Sequence, residues 1–418
     1  MASTQVLFPG VQSPGRKSFL HGTHRLVAPE ETVGRVRRLM PAMGITRVAN
    51  VTGLDTIGIP VVMACRPNSR SIAVSQGKGL DLAAAKASAL MESVEAYHAE
   101  HITLPLKLAS HEELRYTHPI VDVDTLLRPA SGLFHPNLPL LWVEGHDLIQ
   151  NATVWLPYEL VYLNYTLPLP PGMGCFVPSS NGLASGNHLL EAISHGLCEV
   201  VERDAVALWS LKGDSAQSKD RIDLDTVDDP ACRELLEKFD RAGVSVAVWE
   251  VTSNVGIPAF LCLIADRSPN PLRPIPPANG SGCHPAREIA LLRTLAEAAQ
   301  GRLTYIAGSR DDIFREDYAQ TLCPEAIQRY SGLARMRDAT RDFREVPTWE
   351  ADTFRDDVVW ILDQLQAAGM TSALVVNLTR EEFDVPVVRI VIPTLELADA
   401  PVETVPGPRC LAMLGGQT

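Results

Sequence analysis

Three segments of this chain repeat one spacing: an alanine, a glutamate seven residues later, and a second oxygen-bearing side chain three residues beyond it. Seven and three residues correspond to about two turns and one turn of an α-helix, so each segment predicts a helix with both acceptors on one face. Each acceptor face then needs either solvent or compensating charge. The three sets are Ala85–Glu92–Glu95, Ala192–Glu199–Glu202 and Ala290–Glu297–Gln300.

The predicted helices are amphipathic, with apolar side chains opposite the acceptors. The second helix adds Glu191 and His195 to its acceptor face, and the third adds Arg293. Small neighbours of the carboxylates in the first helix, Ala85 and Ser88, are expected to leave room for a ligand. Carboxylates three residues apart repel each other without a cation, and Mg²⁺ prefers a few carboxylates together with phosphate oxygens. The shared spacing favours such a site over three ordinary helices with solvated glutamates.

A segment of small residues precedes each helix, and we expect each segment to form a loop at the helix N-terminus. Backbone amides in such a loop, with Lys78 in the first one, can hold a phosphate group. Gly77-Lys-Gly79 is not a Walker A motif, so a surface turn is its alternative interpretation. For Asn181–Asn187 the alternative is a tight turn with an N-cap, and the third segment is Gly280–Gly282.

Composition and charge argue against several classes of function. The net charge is −13, whereas a nucleic-acid-binding surface needs a basic patch. The sequence has no run of about 18 apolar residues, so we expect no membrane span. It has no charged N-terminal region followed by an apolar one, so we expect no signal peptide. The eight cysteines form no CxxC pair and no zinc spacing, which favours reduced thiols in a cytoplasmic protein.

The order of predicted elements favours an α+β fold over a Rossmann-type sheet, because strands and helices mix without a regular βαβ period. Helices are predicted over 33–43, 80–100 and 285–307, a loop and helix over 179–210, mostly solvated helices over 310–370, and strands over 45–51, 59–65, 140–143, 154–156, 244–250, 258–265, 373–377 and 387–392. We predict a flexible N-terminus at 1–20, one domain at 21–400 and a Pro/Gly-rich tail, poor in helix signals, at 401–418. His98, His101 and His188 are expected to be surface or capping groups.

Three longer motifs surround the repeated helices. They are Ser75-x-Gly-Lys-Gly with Ala87-Ser-Ala-x-x-Glu92-x-x-Glu95, then Asn181-Gly-x-Ala-x-Gly-Asn with Glu191-Ala-x-x-His-Gly-x-x-Glu199-x-x-Glu202-Arg-Asp204, and then Glu288-Ile-Ala with Glu297-Ala-Ala-Gln300-x-Arg302 and Gly308-Ser-Arg-Asp-Asp312. In this order they resemble the ATP-binding motifs of the YcaO-domain family. The segments Gly44–Thr52 and Ile57–Val61 resemble the same family. The resemblance covers roughly residues 20–400.

The resemblance implies a YcaO-type fold, with mixed, mostly antiparallel sheets and three helices lining a buried ATP–Mg site. It implies an ATP- and Mg²⁺-dependent enzyme that phosphorylates the oxygen of a peptide backbone amide after a nucleophile has added to the carbonyl carbon. By motif match, the metal ligands are Glu92, Glu95, Glu199, Glu202 and Glu297; the ATP contacts are Ser75, Lys78, Ser185, Asn187, Glu191, Arg203, Gln300 and Arg302, with Lys17 and Arg25 adding phosphate contacts; and Glu199, Glu202 and Arg203 are assigned to catalysis.

The end of the chain bears on the branch of the family. Azoline-forming members usually end in Pro-x-Pro-x-Pro, whereas here Pro406-Gly-Pro408 leads into a different tail. The usual Pro-Gly-Leu-Glu is replaced by Pro393-Thr-Leu-Glu396, and we recognise no fused leader-binding domain. These departures resemble the branch that works with a TfuA-like partner, in which sulfide is the nucleophile and the product is a thioamide.

Two alternatives to thioamide formation stay open. One is an azoline-forming cyclodehydratase that acts on Cys, Ser or Thr of a precursor peptide. The other is a non-catalytic docking subunit, against which the five retained carboxylates argue. The expected partners are a peptide or protein substrate, a TfuA-like sulfur-delivery protein and, from the general frequency of two-fold oligomers, a second copy of the chain. No nucleic-acid or membrane partner is expected.

Overall fold

The computed structural model describes the chain except for residues 1–7, 10, 12, 167, 169–172, 271, 273, 337–338, 399, 401 and 416–418. The chain divides into two compact units. The first unit comprises residues 1–18, 94–211 and 351–418, and the second comprises 19–93 and 212–350. The predicted boundaries at 20 and 400 stay a prediction, and parts of the predicted N-terminus and tail lie outside the described residues.

The helices and strands occur in mixed order along the chain. The helices are α1 (Pro29–Arg37), α2 (Leu82–Glu100), α3 (His111–Leu114), α4 (Leu189–Ser210), α5 (Asp214–Lys219), α6 (Pro230–Arg241), α7 (Arg287–Ala307), α8 (Arg315–Thr321), α9 (Pro324–Arg335), α10 (Phe354–Ala367) and α11 (Pro408–Gly415). The strands are β1 (Arg47–Asn50), β2 (Val61–Cys65), β3 (Val74–Lys78), β4 (Leu106–Ala109), β5 (Leu140–Asp147), β6 (Ala152–Pro157), β7 (Leu183–Ser185), β8 (Ile222–Asp223), β9 (Val244–Glu250), β10 (Ala259–Asp266), β11 (Ala278–Cys283), β12 (Arg341–Asp342), β13 (Leu374–Asn377) and β14 (Val387–Val391).

The second unit contains the same arrangement twice: three antiparallel strands followed by a long helix. Strands β1, β2 and β3 pair in that order and lead into α2, and β9, β10 and β11 pair in that order and lead into α7. Phe239, Phe260 and Leu295 are fully buried in the core between α6, α7 and the second of these sheets. Helix α2 belongs to this unit as far as Ser93.

The first unit is built on a six-stranded sheet. Its strands follow the order β4-β5-β13-β14-β7, with β6 also paired to β5, and all of these pairs are antiparallel. Helix α4 packs against β7, β14 and α10. His188 caps α4 by accepting a hydrogen bond from the Leu190 amide, as predicted for a capping group. Among the described strands, only β8 and β12 form a parallel ladder, so the prediction of an α+β fold with mostly antiparallel sheets is confirmed.

The structure corrects three local predictions. The small-residue segments are not simple loops, because β3, β7 and β11 run through them. The tail contains a helix, α11, although its sequence carries weak helix signals. His98 is buried rather than exposed, because its ring packs edge-on against Tyr97 and Phe383. In the described part of the chain, no helix combines the length and apolarity needed to cross a membrane.

Candidate functional site

The repeated alanines mark the places where a helix packs closely against the preceding strand. A Cβ atom on Gly77 of β3 would lie 2.3 Å from the carbonyl oxygen of Ala85. A Cβ atom on Gly282 of β11 would lie 2.4 Å from the carbonyl oxygen of Ala290. Only glycine permits this approach of strand backbone to helix backbone. Ala85 therefore packs against a strand, and the expectation that it leaves room for a ligand is wrong.

The second repeat uses the same type of contact with a different distribution of glycines. Gly186 directly follows β7, and a Cβ atom there would lie 2.8 Å from the Ala192 amide nitrogen. On the helix side, a Cβ atom on Gly196 would lie 3.3 Å from the Cβ of Ala184. The glycines that suggested phosphate loops thus serve strand–helix packing in all three repeats.

The glutamate seven residues after the alanine is held by the same strand in the first and third repeats. The Gln76 amide donates to Glu92 Oε2 at 3.2 Å. The Ser281 amide donates to Glu297 Oε1 at 3.3 Å. Each donor directly precedes the glycine of the strand–helix contact. The spacing therefore has a structural cause: alanine and glutamate lie two turns apart and contact adjacent residues of one strand.

Lys78 connects the two copies of this arrangement within the second unit. Its ammonium lies 2.6 Å from Glu297 Oε2, with the two side chains 20% and 26% exposed. Gln300 Nε2 donates to the Gln76 carbonyl at 2.9 Å, and Thr304 Oγ1 donates to the Gln76 side chain. Lys78, Glu297 and Gln300 are thereby held around β3 and α7.

The pKa of Glu92 is strongly shifted by its surroundings. Burial raises its pKa to about 7, while the charges of Arg310 and Lys78 oppose the shift and that of Glu297 adds to it. The positive charges of Arg310 and Lys78 therefore offset the effect of burial on Glu92 only in part. Arg310 belongs to the Gly308–Asp312 motif, but sequence reasoning did not single it out as a site residue. The signal was its place in that motif, and its proximity to Glu92 emerges only from the fold.

The first unit holds the remaining predicted carboxylates. Glu95 Oε1 accepts hydrogen bonds from the Ser185 amide at 2.8 Å and from Ser185 Oγ at 2.7 Å. On α4, Glu191 and Glu202 are buried, whereas Glu199 is partly exposed. Asn187 and Arg203 are also partly exposed. The sequence assigned Glu95 to the metal and Ser185 to ATP, and the hydrogen bonds that join these two side chains were not predicted.

Two residues assigned to ATP have strong partners within the protein. Lys17 pairs with Asp357 at 2.8 Å, and both side chains are 1% exposed. Arg302 binds Asp55 through Nε at 2.9 Å and Asp266 through Nη1 at 2.8 Å. A phosphate contact by either cation would compete with a buried carboxylate, and these two assignments stay predictions. Arg25 is partly exposed, and its amide donates to the Phe19 carbonyl at 2.9 Å. Ser75 is buried on β3.

The donor chemistry fits Mg²⁺ and phosphate. Carboxylates and the Gln300 amide are hard oxygen donors that suit Mg²⁺, and Lys78 is a cation that suits phosphate. Within the residues that the structure describes, no group of three or more His, Cys, Asp or Glu side chains is arranged to hold a metal ion. Mg²⁺ commonly takes one or two carboxylates and completes its octahedron with phosphate and water oxygens.

Comparison with known proteins assigns the chain to a family. A family model described as YcaO cyclodehydratase, ATP- and Mg²⁺-binding, matches residues 76–396. The chain belongs to the YcaO family. The predicted family is therefore confirmed, and ATP and Mg²⁺ are the ligands of the family, as predicted.

YcaO relatives cover most of the chain in sequence. An uncharacterized protein in the tfuA 3′ region of Rhizobium leguminosarum bv. trifolii is 38% identical over 379 residues, which are 89% of this chain and 89% of that protein. An uncharacterized protein of Methanothermobacter thermautotrophicus is 35% identical over 391 residues, which are 91% of this chain and 97% of that protein.

Solved structures show the YcaO fold. A heterocyclase in complex with substrate and cofactor matches with a TM-score of 0.76 and 24% identity over 92% of this chain, which spans 54% of that protein. YcaO from Methanopyrus kandleri, bound with AMPPCP and Mg²⁺, matches with a TM-score of 0.71 and 24% identity over 90% of this chain and 94% of that protein. The predicted fold class is confirmed.

Proposed function

We propose that this protein uses ATP and Mg²⁺ to activate a peptide backbone amide and that the product is a thioamide. The observation that carries the proposal is the group formed by Lys78, Glu92 and Glu297 in the second unit. The partly exposed ammonium of Lys78 pairs with Glu297 and lowers the pKa of Glu92, which burial raises to about 7. A divalent cation would bind the two carboxylates, and phosphate oxygens would bind Lys78 and the cation. Membership of the YcaO family supports this assignment.

Some of the side chains supply charge and others hold the charged groups in position. When bound, ATP and Mg²⁺ supply a phosphoryl group that turns the amide oxygen into a good leaving group. Lys78 would hold phosphate oxygens as a point charge, and Glu92, once deprotonated, would hold the cation. Ser185 orients Glu95 through two hydrogen bonds. We retain Glu199, Glu202 and Glu297 as the other metal-binding carboxylates and Arg203 as the residue that neutralises charge during transfer.

Sulfur as the external nucleophile is supported by the relative from the tfuA 3′ region of Rhizobium leguminosarum bv. trifolii and by the segment Pro393–Glu396, which departs from the azoline-forming pattern. We propose a TfuA-like protein as the partner that delivers the sulfur. The alternative product is an azoline, which is favoured by the family description as a cyclodehydratase and by the similarity to a heterocyclase. The second alternative, a non-catalytic docking subunit, requires that ATP is not turned over.

Mass spectrometry of a peptide substrate distinguishes these functions. The substrate, a short peptide encoded beside the gene, is incubated with the protein, ATP, Mg²⁺, sulfide and a TfuA-like protein from the same source. Thioamide formation adds about 16 Da, because sulfur replaces oxygen, and azoline formation removes about 18 Da as water. A product lighter by water would overturn the thioamide assignment. No ATP hydrolysis with any such peptide would support the docking subunit.

Variants of α4 test the assigned catalytic carboxylates. Glu199→Gln and Glu202→Gln are expected to abolish ATP turnover while the circular dichroism spectrum stays that of the wild type. Glu237→Gln, at an exposed position of α6, is the matched control and is expected to keep full turnover. Wild-type turnover in both α4 variants would contradict the metal-binding role.

The setting of the reaction is also part of the proposal. None of the eight cysteines, all of them described, forms a disulfide bond, which agrees with the proposed cytoplasmic location. The proposed partners are a peptide substrate, the TfuA-like protein and a second copy of the chain, with no nucleic acid and no membrane. Size-exclusion chromatography with light scattering tests the homodimer.

A further inference from the structure

A buried arginine on the sheet of the first unit has donors without acceptors. Arg389 lies on β14, paired with Val376 of β13 on one side and Leu183 of β7 on the other. The residue is 4% exposed. Both neighbouring strands restrict its backbone, so its guanidinium group is held in one region of the unit.

The guanidinium group makes one hydrogen bond and has capacity for more. Nη2 donates to the Ser179 carbonyl at 2.5 Å. Nε and Nη1 are buried and have no partner among the described residues. These two nitrogens carry three N–H groups. Burying N–H groups of a cation without hydrogen-bond partners lowers the stability of the folded protein, so their presence here needs an explanation.

Another buried arginine shows how the fold ordinarily compensates such a charge. Arg409, also in the first unit, donates to both oxygens of Asp204, at 2.8 and 3.0 Å. No comparable ion pair is formed by Arg389 within the described residues. The fold therefore gives Arg389 a fixed position without a carboxylate partner among the described residues.

Burial and two acidic side chains, Tyr165 and Glu199, shift the pKa of Arg389 in opposite directions. Burial lowers the pKa of Arg389 to about 10, while the charges of Tyr165 and Glu199 raise it, so the arginine stays charged at neutral pH. Glu199 is partly exposed on α4 and is one of the proposed metal-binding carboxylates. A guanidinium group with free N–H donors, in the electrostatic field of such a carboxylate, is suited to an oxyanion that also binds the metal.

We propose that Arg389 binds a phosphate group of the nucleotide next to Glu199. This inference rests on the proposed function, because that function supplies the nucleotide. Arg389 would then be a phosphate-binding residue on the sheet, in addition to the residues of the three motifs. Its place outside those motifs explains why the repeated spacing did not reveal it.

Calorimetric titration of the full-length protein with Mg²⁺ and AMPPCP tests this role. Arg389→Met is expected to weaken AMPPCP binding at least tenfold, since it removes a charge-assisted hydrogen bond to phosphate. Adenosine binding is expected to be unchanged, and the melting temperature is expected to stay equal or rise, since a buried unpaired cation is removed. Arg409→Met is the matched control: it breaks an ion pair, lowers the melting temperature and leaves the ratio of AMPPCP to adenosine affinity unchanged.

The outcomes separate this inference from the proposed function. No AMPPCP binding by the wild type would overturn the proposed function itself and remove the ligand of Arg389. Wild-type affinity in a folded Arg389→Met variant would overturn the Arg389 inference alone. If Arg389→Met weakens the binding of inorganic phosphate but not that of AMPPCP, the assignment of Arg389 to the nucleotide is overturned. If Arg389→Met does not fold, Arg389→Lys decides: it lacks the Nη1 donors, so several-fold weaker binding is expected, and unchanged binding would contradict the role.

Discussion

Replacing Gly77 with alanine tests the structural explanation of the repeated spacing. The added Cβ would lie 2.0 Å from the Ala89 amide nitrogen and 2.3 Å from the Ala85 carbonyl oxygen. Both are backbone atoms of α2, so no side-chain rotation can relieve the contact. The strand and the helix must separate, and this movement pulls the Gln76 amide away from Glu92, which it now binds at 3.2 Å.

The expected cost follows from these contacts. Overpacking of a well-packed core typically costs about 1–3 kcal/mol and occasionally more, and here rigid backbone takes the strain, so we expect about 3 kcal/mol. Loss of the hydrogen bond to Glu92 adds about 1 kcal/mol. Gly34→Ala in α1 is the control, because a Cβ atom at that position would have no neighbour within 4 Å. That change should stabilise the protein by up to about 1 kcal/mol, as alanine is the better helix former.

Urea unfolding followed by circular dichroism measures both changes, and AMPPCP titration measures their effect on the site. We expect Gly77→Ala to lower the unfolding midpoint and to weaken nucleotide binding, and Gly34→Ala to do neither. A stability of Gly77→Ala within about 0.5 kcal/mol of the wild type would refute the close-packing explanation, because such a small change is typical of an uncrowded surface position.

Three further predictions concern charge. Burial raises the pKa of Glu92 to about 7 in the folded protein, so its contribution to stability is complete below pH 4.5 and is lost as the pH rises through 7. Glu92→Gln should therefore stabilise the metal-free protein by about 1–3 kcal/mol at pH 8 but not at pH 4.5. Thermal melting in EDTA at both pH values checks this. His98 has a folded pKa lowered by burial to about 4, so its contribution is complete above 6.5 and lost as the pH falls toward 4. Between pH 7.5 and 5 the wild type should therefore lose about 2 kcal/mol more than His98→Gln in urea unfolding, and equal losses would contradict the buried neutral ring. Lys78→Met should weaken AMPPCP binding about tenfold while changing stability by less than about 1 kcal/mol, since the pair with Glu297 is partly exposed; a large drop in melting temperature with unchanged binding would show a structural role instead.

The sequence predicted the long helices well because their signal is local. The acceptor face of α7, with Arg293, Glu297 and Gln300 partly exposed, agrees with the prediction. The strands before the helices were missed for a physical reason: glycine and serine disfavour strands by propensity, and their presence in β11 is explained only by the helix backbone that approaches them. Helix α11 was missed because the group that holds its start lies outside the helix: the carboxylate of Glu396 accepts hydrogen bonds from the amides of Gly407, Arg409 and Cys410.

The site divides in the same way. Motif order alone identified the family and nominated Lys78, Glu92 and Glu297, because residue type and spacing along a helix are properties of local sequence. Burial and long-range contacts belong to the tertiary structure: it binds Glu95 to Ser185, pairs Lys17 with Asp357 and raises the pKa of Glu92. The sequence by itself therefore predicted a metal-binding role for the repeated glutamates. The tertiary structure decides which amide or cation interacts with each glutamate, because hydrogen bonds and electrostatic shifts depend on distance in space. These partners lie on strands up to about 200 residues away in the sequence.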